Sequence, residues 1–299
     1  MTTYGQTDGL AVVDKPAGCT SHDVVGRCRR IFGQRKVGHG GTLDPDATGV
    51  LLVGLGRATR LLRYLSSLPK SYVAEVVLGS ATSTLDDSGE VVGTWDMTGV
   101  TLDDARAAAA AFVGEIDQTP PMVSAVQIAG RRLHELARAG IEVERAPRRV
   151  TVTRFDVSPG SGPGVFRIEA DCSSGTYVRS LAAELGRELG GGAHLRNLRR
   201  TAVGPFTSAR SRPVDHLELL APLEAVAHLD RVAVDDEVAA LVATGTRLVR
   251  TGQSARFAGE GPWAVTAAAT GELLAVYRAA GERAHPEVVL ARPAPVAPG

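Results

Sequence analysis

The stretch Gly38-His39-Gly40-Gly41-Thr42-Leu43-Asp44-Pro45-Asp46-Ala47-Thr48-Gly49, running into the apolar segment Val50–Val53, constrains this chain more than any other. Four glycines in twelve residues oppose a helix and let backbone approach a ligand closely. Pro45 pushes Asp44 toward extended backbone and blocks helix there. The apolar run ends at Gly54 and Gly56 and reads as a buried strand. Asp44 is therefore a carboxylate on a stiff loop just ahead of a buried strand. An ordinary Asx turn before a strand would use the same letters, so the pattern alone does not assign chemistry. Two phosphate-binding readings fail. No Gly-Lys-Ser/Thr follows the glycines as a P-loop needs, and Gly54-Leu55-Gly56 lacks the third glycine of a dinucleotide fingerprint.

Around this loop the pattern mixes strands and helices in an α+β order. Gly9–Lys15 is a short apolar strand closed by Lys15-Pro16-Ala17-Gly18. Ser21 is the expected N-cap of a helix through Ile31. Ala58, Leu61, Leu62 and Leu65 fall at helical spacing, and Tyr72–Leu78 alternates as a strand does. Leu102–Phe112 is an expected helix capped by Thr101, with Asp103 and Asp104 in its first turn. Val150–Val157 and Val165–Cys172 are expected strands. A helix over Tyr177–Leu189 should stop at Gly190-Gly191-Gly192. Composition shifts near residue 228, which divides the chain into a large unit, 1–228, and a small β-rich unit, 229–299. In the small unit Val232–Thr244 precedes strand-like pieces at 246–249, 262–268 and 272–277, and the tail Pro293–Gly299 should fray.

At 299 residues the chain is long for one average domain. It has no run of eighteen apolar residues and no basic segment followed by an apolar one at its start. Its three cysteines, Cys19, Cys28 and Cys172, lack both a paired framework and metal-ligand spacing. A cytoplasmic protein without membrane contact or bound metal is expected. Lys and Arg total 33 and so do Asp and Glu, yet the charges are segregated. Asp23 to Asp44, Asp46 to Glu75 and Glu188 to Asp215 hold no internal carboxylate. Their cations include Arg27, Arg30, Arg35, Lys36, Arg57, Lys70, Arg196, Arg199 and Arg200. Such clustering suits one basic face for a phosphate backbone, although solvated arginines would produce the same letters.

A second informative stretch is Cys172-Ser173-Ser174-Gly175-Thr176-Tyr177-Val178-Arg179. Arg179 falls in the first turn of the expected helix, where the helix dipole disfavours a cation. A fixed anion should compensate it, and Asp44 is the candidate. Tyr72, after Lys70-Ser71, could equally be a core aromatic.

These segments, in this order, resemble the bacterial tRNA pseudouridine synthase B (TruB) family. The resemblance covers residues 9–215. It is carried by Asp14-Lys15-Pro16-Ala17-Gly18, Gly38–Gly49, Lys70-Ser71-Tyr72, Asp86-Asp87-Ser88-Gly89, Gln118–Ala125, Gly175–Arg179 and His194–Arg200. It implies a mixed, mainly antiparallel sheet flanked by helices, with a C-terminal PUA-like RNA-binding domain. It implies isomerisation of uridine 55 in the T arm of tRNA, without cofactor, by a monomer needing no obligatory protein partner. It makes Asp44 the catalytic aspartate, Tyr72 the ring packed on the flipped base, and Arg179 the partner of Asp44. By the same carry-over His39 contacts the T loop, while Asp86, Tyr177 and Leu198 line the uridine pocket. Asp87-Ser88 departs from the family's more usual small-acidic pair. Asp44 would either attack the sugar or deprotonate it toward a glycal, and the Tyr72 hydroxyl would be suited to take the C5 proton. A guide-directed synthase acting on ribosomal RNA, and an RNA-folding chaperone or binding module, are the alternatives.

Overall fold

The computed structural model describes residues 7–122, 127–128, 131–132, 141, 143–250 and 257–291. The expectations for Val123–Ala125 and for the tail lie outside these residues. Among those described, a ten-stranded sheet dominates. Its main path runs Leu219–Leu220, Gly9–Lys15, Thr48–Leu55, Ala193–Val203, Lys70–Leu78, Val165–Cys172, Arg148–Pro159, Gly114–Gln118. Every neighbouring pair along it is antiparallel except one: Ala193–Val203 runs parallel to Thr48–Leu55. The fold is thus α+β around a mixed, mainly antiparallel sheet.

That parallel seam anchors the Asp44 loop to the sheet. It places Arg200 beside Gly49 on one side and beside Tyr72 on the other. Gly49 has φ +100°, and a Cβ there would lie 2.2 Å from the Arg200 carbonyl oxygen. Only glycine fits, and this fixes how the Asp44 loop enters its strand.

Apolar alternation explains the strands. In Lys70–Leu78 every second residue is buried, and Tyr72, Ala74 and Val76 pack with Leu181 and Leu185 of the helix Val178–Glu188. Along Thr48–Leu55 nearly all side chains are buried, because both faces of that strand are covered. Thr101 caps the helix Leu102–Ala110 in a reciprocal capping box with Asp104. Residues 56–66 are not one regular α-helix. A 3₁₀ segment, Gly56–Leu61, precedes the short helix Leu62–Ser66.

Ser21 is not a cap. Thr20 caps the helix Ser21–Ile31, in a box with Asp23. Ser21 is the first helical residue, so its hydroxyl is free for another partner.

A second, five-stranded sheet is built from Asp230–Val234, Leu248–Val249, Trp263–Ala267, Leu273–Ala280 and Arg283–Val289. It does not stand apart from the first. Ala264, Leu273, Val276, Val288 and Leu290 share one apolar cluster with Leu10, Val12, Leu52, Leu61 and Phe206 of the main body. Tyr64 donates to Glu287 at 2.6 Å at the margin of that seam.

Candidate active site

The Asp44 loop is held almost residue by residue. Gly40 N–H donates to the Leu52 carbonyl at 2.9 Å. Arg200 donates to the carbonyls of Gly41 at 3.2 Å, Thr42 at 3.3 Å and Val50 at 2.7 Å. Ser21 Oγ donates to the Leu43 carbonyl and accepts from Leu43 N–H, at 3.1 and 2.9 Å. Lys15, wholly buried, places its ammonium on the carbonyls of Pro16, Cys19 and Pro45 at 2.7 to 2.9 Å. Gly18 N–H reaches the same Pro45 carbonyl. Buried donors thus hold the loop's backbone, and the Asp44 carboxylate stays partly exposed.

Arg179 meets that carboxylate. Its Nη2 lies 3.1 Å from Asp44 Oδ2, and its Nη1 lies 3.4 Å from Asp86 Oδ2 and donates to the Thr84 carbonyl at 2.9 Å. The Arg179 side chain is 5% exposed and that of Asp44 41% exposed. Arg179 therefore joins two carboxylates from separate loops. Burial pushes the Asp44 carboxyl up, Arg179 opposes this, and Asp86 reinforces it; burial wins. Sequence reasoning anticipated the pairing of Arg179 with Asp44; on the carboxyl's charge, desolvation is the stronger effect here.

Two of the other expected residues adjoin this pair: Asp86 contacts Arg179, and Tyr177 opens its helix. Asp86 sits in a tight turn, where Thr84 Oγ1, Ser88 Oγ and Ser88 N–H all donate to its Oδ1. Asp87, the departure from the family pattern, accepts from His194 Nε2 at 2.9 Å and ties this turn to the strand Ala193–Val203. Tyr177 is the N-cap of the Arg179 helix, not its first residue. Buried Gln118 grips its backbone, accepting from Tyr177 N–H at 2.7 Å and donating to its carbonyl at 3.1 Å. Leu198 is half-buried and touches the apolar clusters on both sides of the site.

Tyr72 belongs to the core cluster, as its alternative reading allowed, and stands opposite Arg200 in the strand register. Burial pushes its phenol up, against the pull of Arg200. His39 packs edge-to-face on His22, with ring centroids 5.4 Å apart. Its Nδ1 is buried without a hydrogen-bond partner among the described residues, and burial holds its imidazole below the ordinary value.

The three acid-free stretches do not form one free basic face. Arg200 and Lys70 are interior. Arg27 pairs with Asp215, Arg57 with Asp8, Arg196 with Glu75, Arg199 with Asp14 and Arg210 with Glu224. The carboxylates come from distant parts of the chain, which a count along the sequence cannot see. Arg30, Arg35 and Lys36 remain exposed.

Sequence reasoning also missed Arg200, Lys15, Ser21 and Gln118 as the residues that hold the site. Each stands in or beside a segment that carries the family resemblance; nothing in their spacing marks them as interior.

A carboxylate paired with a buried arginine, on a tethered loop over a mixed sheet, is a group that can act as a positioned acid, base or nucleophile. The model for the TruB family pseudouridylate synthase (N terminal domain) matches residues 29–178, and that for the tRNA pseudouridylate synthase B C-terminal domain matches 179–236. A tRNA pseudouridine synthase B of Rhodococcus jostii is 54% identical over 213 residues, 70% of each chain. One of an Arthrobacter species is 45% identical over 301 residues, covering 95% of this chain and 96% of its own. Among solved structures, a chain of a Cbf5-Nop10-Gar1 complex superposes with TM-score 0.74 at 29% identity, covering 95% of this chain and 85% of its own. This chain belongs to the TruB family of pseudouridylate synthases.

Proposed function

We propose that this chain isomerises uridine to pseudouridine in tRNA, at position 55 of the T arm, with Asp44 as the acting carboxylate. The observation that carries the reading is the Asp44–Arg179 pair, presented by a loop whose backbone is already satisfied from below. Family membership and relatives bearing the name tRNA pseudouridine synthase B support tRNA as the substrate.

The uridine's N1–C1′ bond is inaccessible in folded RNA, so the nucleotide must be flipped out, at roughly a few kcal/mol. Asp44 then assists cleavage of that bond, by attack on the sugar or by taking a sugar proton. Arg179 holds the carboxylate in place and favours its charged form, against the cost of burial. After the base turns, C5 joins C1′ and gives up its proton, for which the Tyr72 oxygen is the acceptor in this reading. Asp86, Tyr177 and Leu198 line the uridine pocket in this reading, and His39, with its unsatisfied Nδ1, contacts the T loop. Nothing in these steps calls for a cofactor, a metal or an obligatory protein partner. Residues 1–228 form the catalytic domain and 229–299 a PUA-like RNA-binding domain, in a monomer acting in the cytoplasm.

Incubating the protein with T-arm RNA and mapping pseudouridine tests the reading directly. Pseudouridine at the T-arm uridine is the expected result. Its absence, with RNA bound, would sink it. A chaperone would instead keep its cellular role when Asp44 is replaced.

A further inference from the structure

Three helices open on a side chain suited to capping: Thr20 before Ser21–Ile31, Thr101 before Leu102–Ala110 and Asp235 before Asp236–Ala243. The helix Val178–Glu188 does not. Its N-cap is Tyr177, whose side chain makes no capping hydrogen bond, and its first turn holds no acid. That turn holds Arg179 instead, a cation at the positive end of the helix dipole. Left to itself, such a start is the weakest part of its helix. Yet Arg179 is buried and must keep its guanidinium on Asp44.

We infer that Gln118 is a positioning residue for the reaction, taking the place of the missing cap and fixing Tyr177 and Arg179 together against the sheet. The inference rests on the proposed isomerase reading. Gln118 ends the edge strand Gly114–Gln118 and is 1% exposed. Its amide accepts from Tyr177 N–H at 2.7 Å and donates to the Tyr177 carbonyl at 3.1 Å. The same carbonyl takes the first helical donors, Ser180 N–H at 3.1 Å and Leu181 N–H at 3.2 Å. The next residue, Thr119, lends its carbonyl to Ser180 Oγ at 3.4 Å. Residues 177 and 180 are thus tied to one two-residue segment, and Arg179 lies between them. A primary amide carries an acceptor and a donor side by side, so one side chain serves both backbone groups of Tyr177, as a neighbouring strand would. An apolar side chain of equal length would fill the space and hold neither. Gln118 therefore acts through Tyr177 and Arg179 rather than on the substrate.

The test compares Gln118→Met and Gln118→Glu with wild type, by single-turnover rate on saturating T-arm RNA and by RNA affinity, across a range of pH. Gln118→Met keeps the length and loses the amide. It should slow turnover at least about tenfold at every pH, since a small misplacement of reacting groups costs that much, with affinity changed less than about threefold. Gln118→Glu restores the pattern only when protonated, because the neutral carboxyl has one donor and one acceptor while the ionised one has acceptors alone. Burial favours the neutral form, so its rate relative to wild type should come within about threefold at the acid end and fall toward the Gln118→Met level as pH rises. The ratio to wild type removes the titration of Asp44 itself. A residue that merely fills space would give a wild-type rate for Gln118→Met, and that result overturns the inference. So does a Gln118→Glu ratio that stays flat with pH, or a loss of affinity in place of rate. Should Gln118→Met fail to fold, the Gln118→Glu ratio decides alone. Wild type in the same assay keeps the two readings apart: no pseudouridine from it removes the isomerase reading and this inference with it, whereas pseudouridine from wild type with any of the overturning results removes the inference alone.

Discussion

The Asp44 loop and the C-terminal sheet are built on opposite plans. Beneath the loop the interior is polar: Lys15, Arg200, Ser21 and Arg179 are buried and each is spent on a backbone carbonyl or a carboxylate. The C-terminal sheet is filled by Trp263, Phe257, Tyr277, Val265 and Leu274. There Trp263 Nε1 donates to the Ala258 carbonyl and Tyr277 Oη to that of Thr246, both at 2.8 Å. Apolar packing tolerates small shifts, whereas a fork of hydrogen bonds fixes atoms to fractions of an ångström. A loop that must aim a carboxylate needs the second kind of interior, and it carries the cost of burying charge.

Replacing one group in each region breaks the comparison most sharply. Asp44→Asn should lower pseudouridine formation below about one-hundredth of wild type while leaving RNA affinity within about tenfold. It should not lower thermal stability. Burial raises the Asp44 carboxyl, so the folded state favours its proton more than the unfolded chain does; stability is therefore lost as pH rises through that range. Removing the charge relieves that loss at neutral pH. Turnover above one-hundredth would take Asp44 out of its role. Trp263→Ala should do the reverse, costing about 3–5 kcal/mol of stability while folded molecules at low temperature keep most of their turnover. A calorimetric melt beside a rate measured well below it separates the two. Lost turnover without lost stability would mean that the apolar region also aims the chemistry.

A smaller effect follows from the same electrostatics. The acid limb of kcat/KM should be displaced upward from that of an ordinary aspartate, because Asp44 must be ionised to act and burial raises it. Arg179→Gln removes the strongest opposing influence, so the limb should move to still higher pH. A limb that stays put would show that Arg179 aims the carboxylate without affecting its charge.

The sequence was most legible where periodicity and local chemistry agree. Gly9–Lys15 stands where its apolar run and closing turn put it, and the strand Lys70–Leu78 covers the alternation read over Tyr72–Leu78. The Asp44–Arg179 pair was also legible, since a cation in a helix's first turn asks for an anion. Other features lost their signal for physical reasons. Arg283–Val289 was not foreseen as a strand because Pro286 interrupts it; the structure takes the proline in at a register shift beside Tyr277. Thr20 was passed over for Ser21, although Thr20 and Asp23 carry the three-residue capping spacing. Arg200 looked like surface charge because its partners are backbone carbonyls, and no side-chain pattern records those.

The faintest expected effect concerns the cations left outside both interiors. Arg30, Arg35 and Lys36 are exposed and form no ion pair among the described residues. Arg196 and Arg199 are already matched by Glu75 and Asp14. Each phosphate neutralised by a free cation releases condensed counterions, which steepens the fall of affinity with salt. A cation already paired with a carboxylate must first give up that partner, so it adds little to the slope. Substituting Arg30, Arg35 and Lys36 together by alanine should therefore weaken T-arm RNA binding and flatten the plot of log affinity against log salt, by up to about 0.7–0.9 per lost contact. Alanine at Arg196 and Arg199 should leave the slope nearly unchanged, even where the lost pairs lower stability. Equal flattening from both sets would mean that RNA draws Arg196 and Arg199 away from their carboxylates. The acid-free stretches would then act as one face after all, assembled only when the substrate arrives.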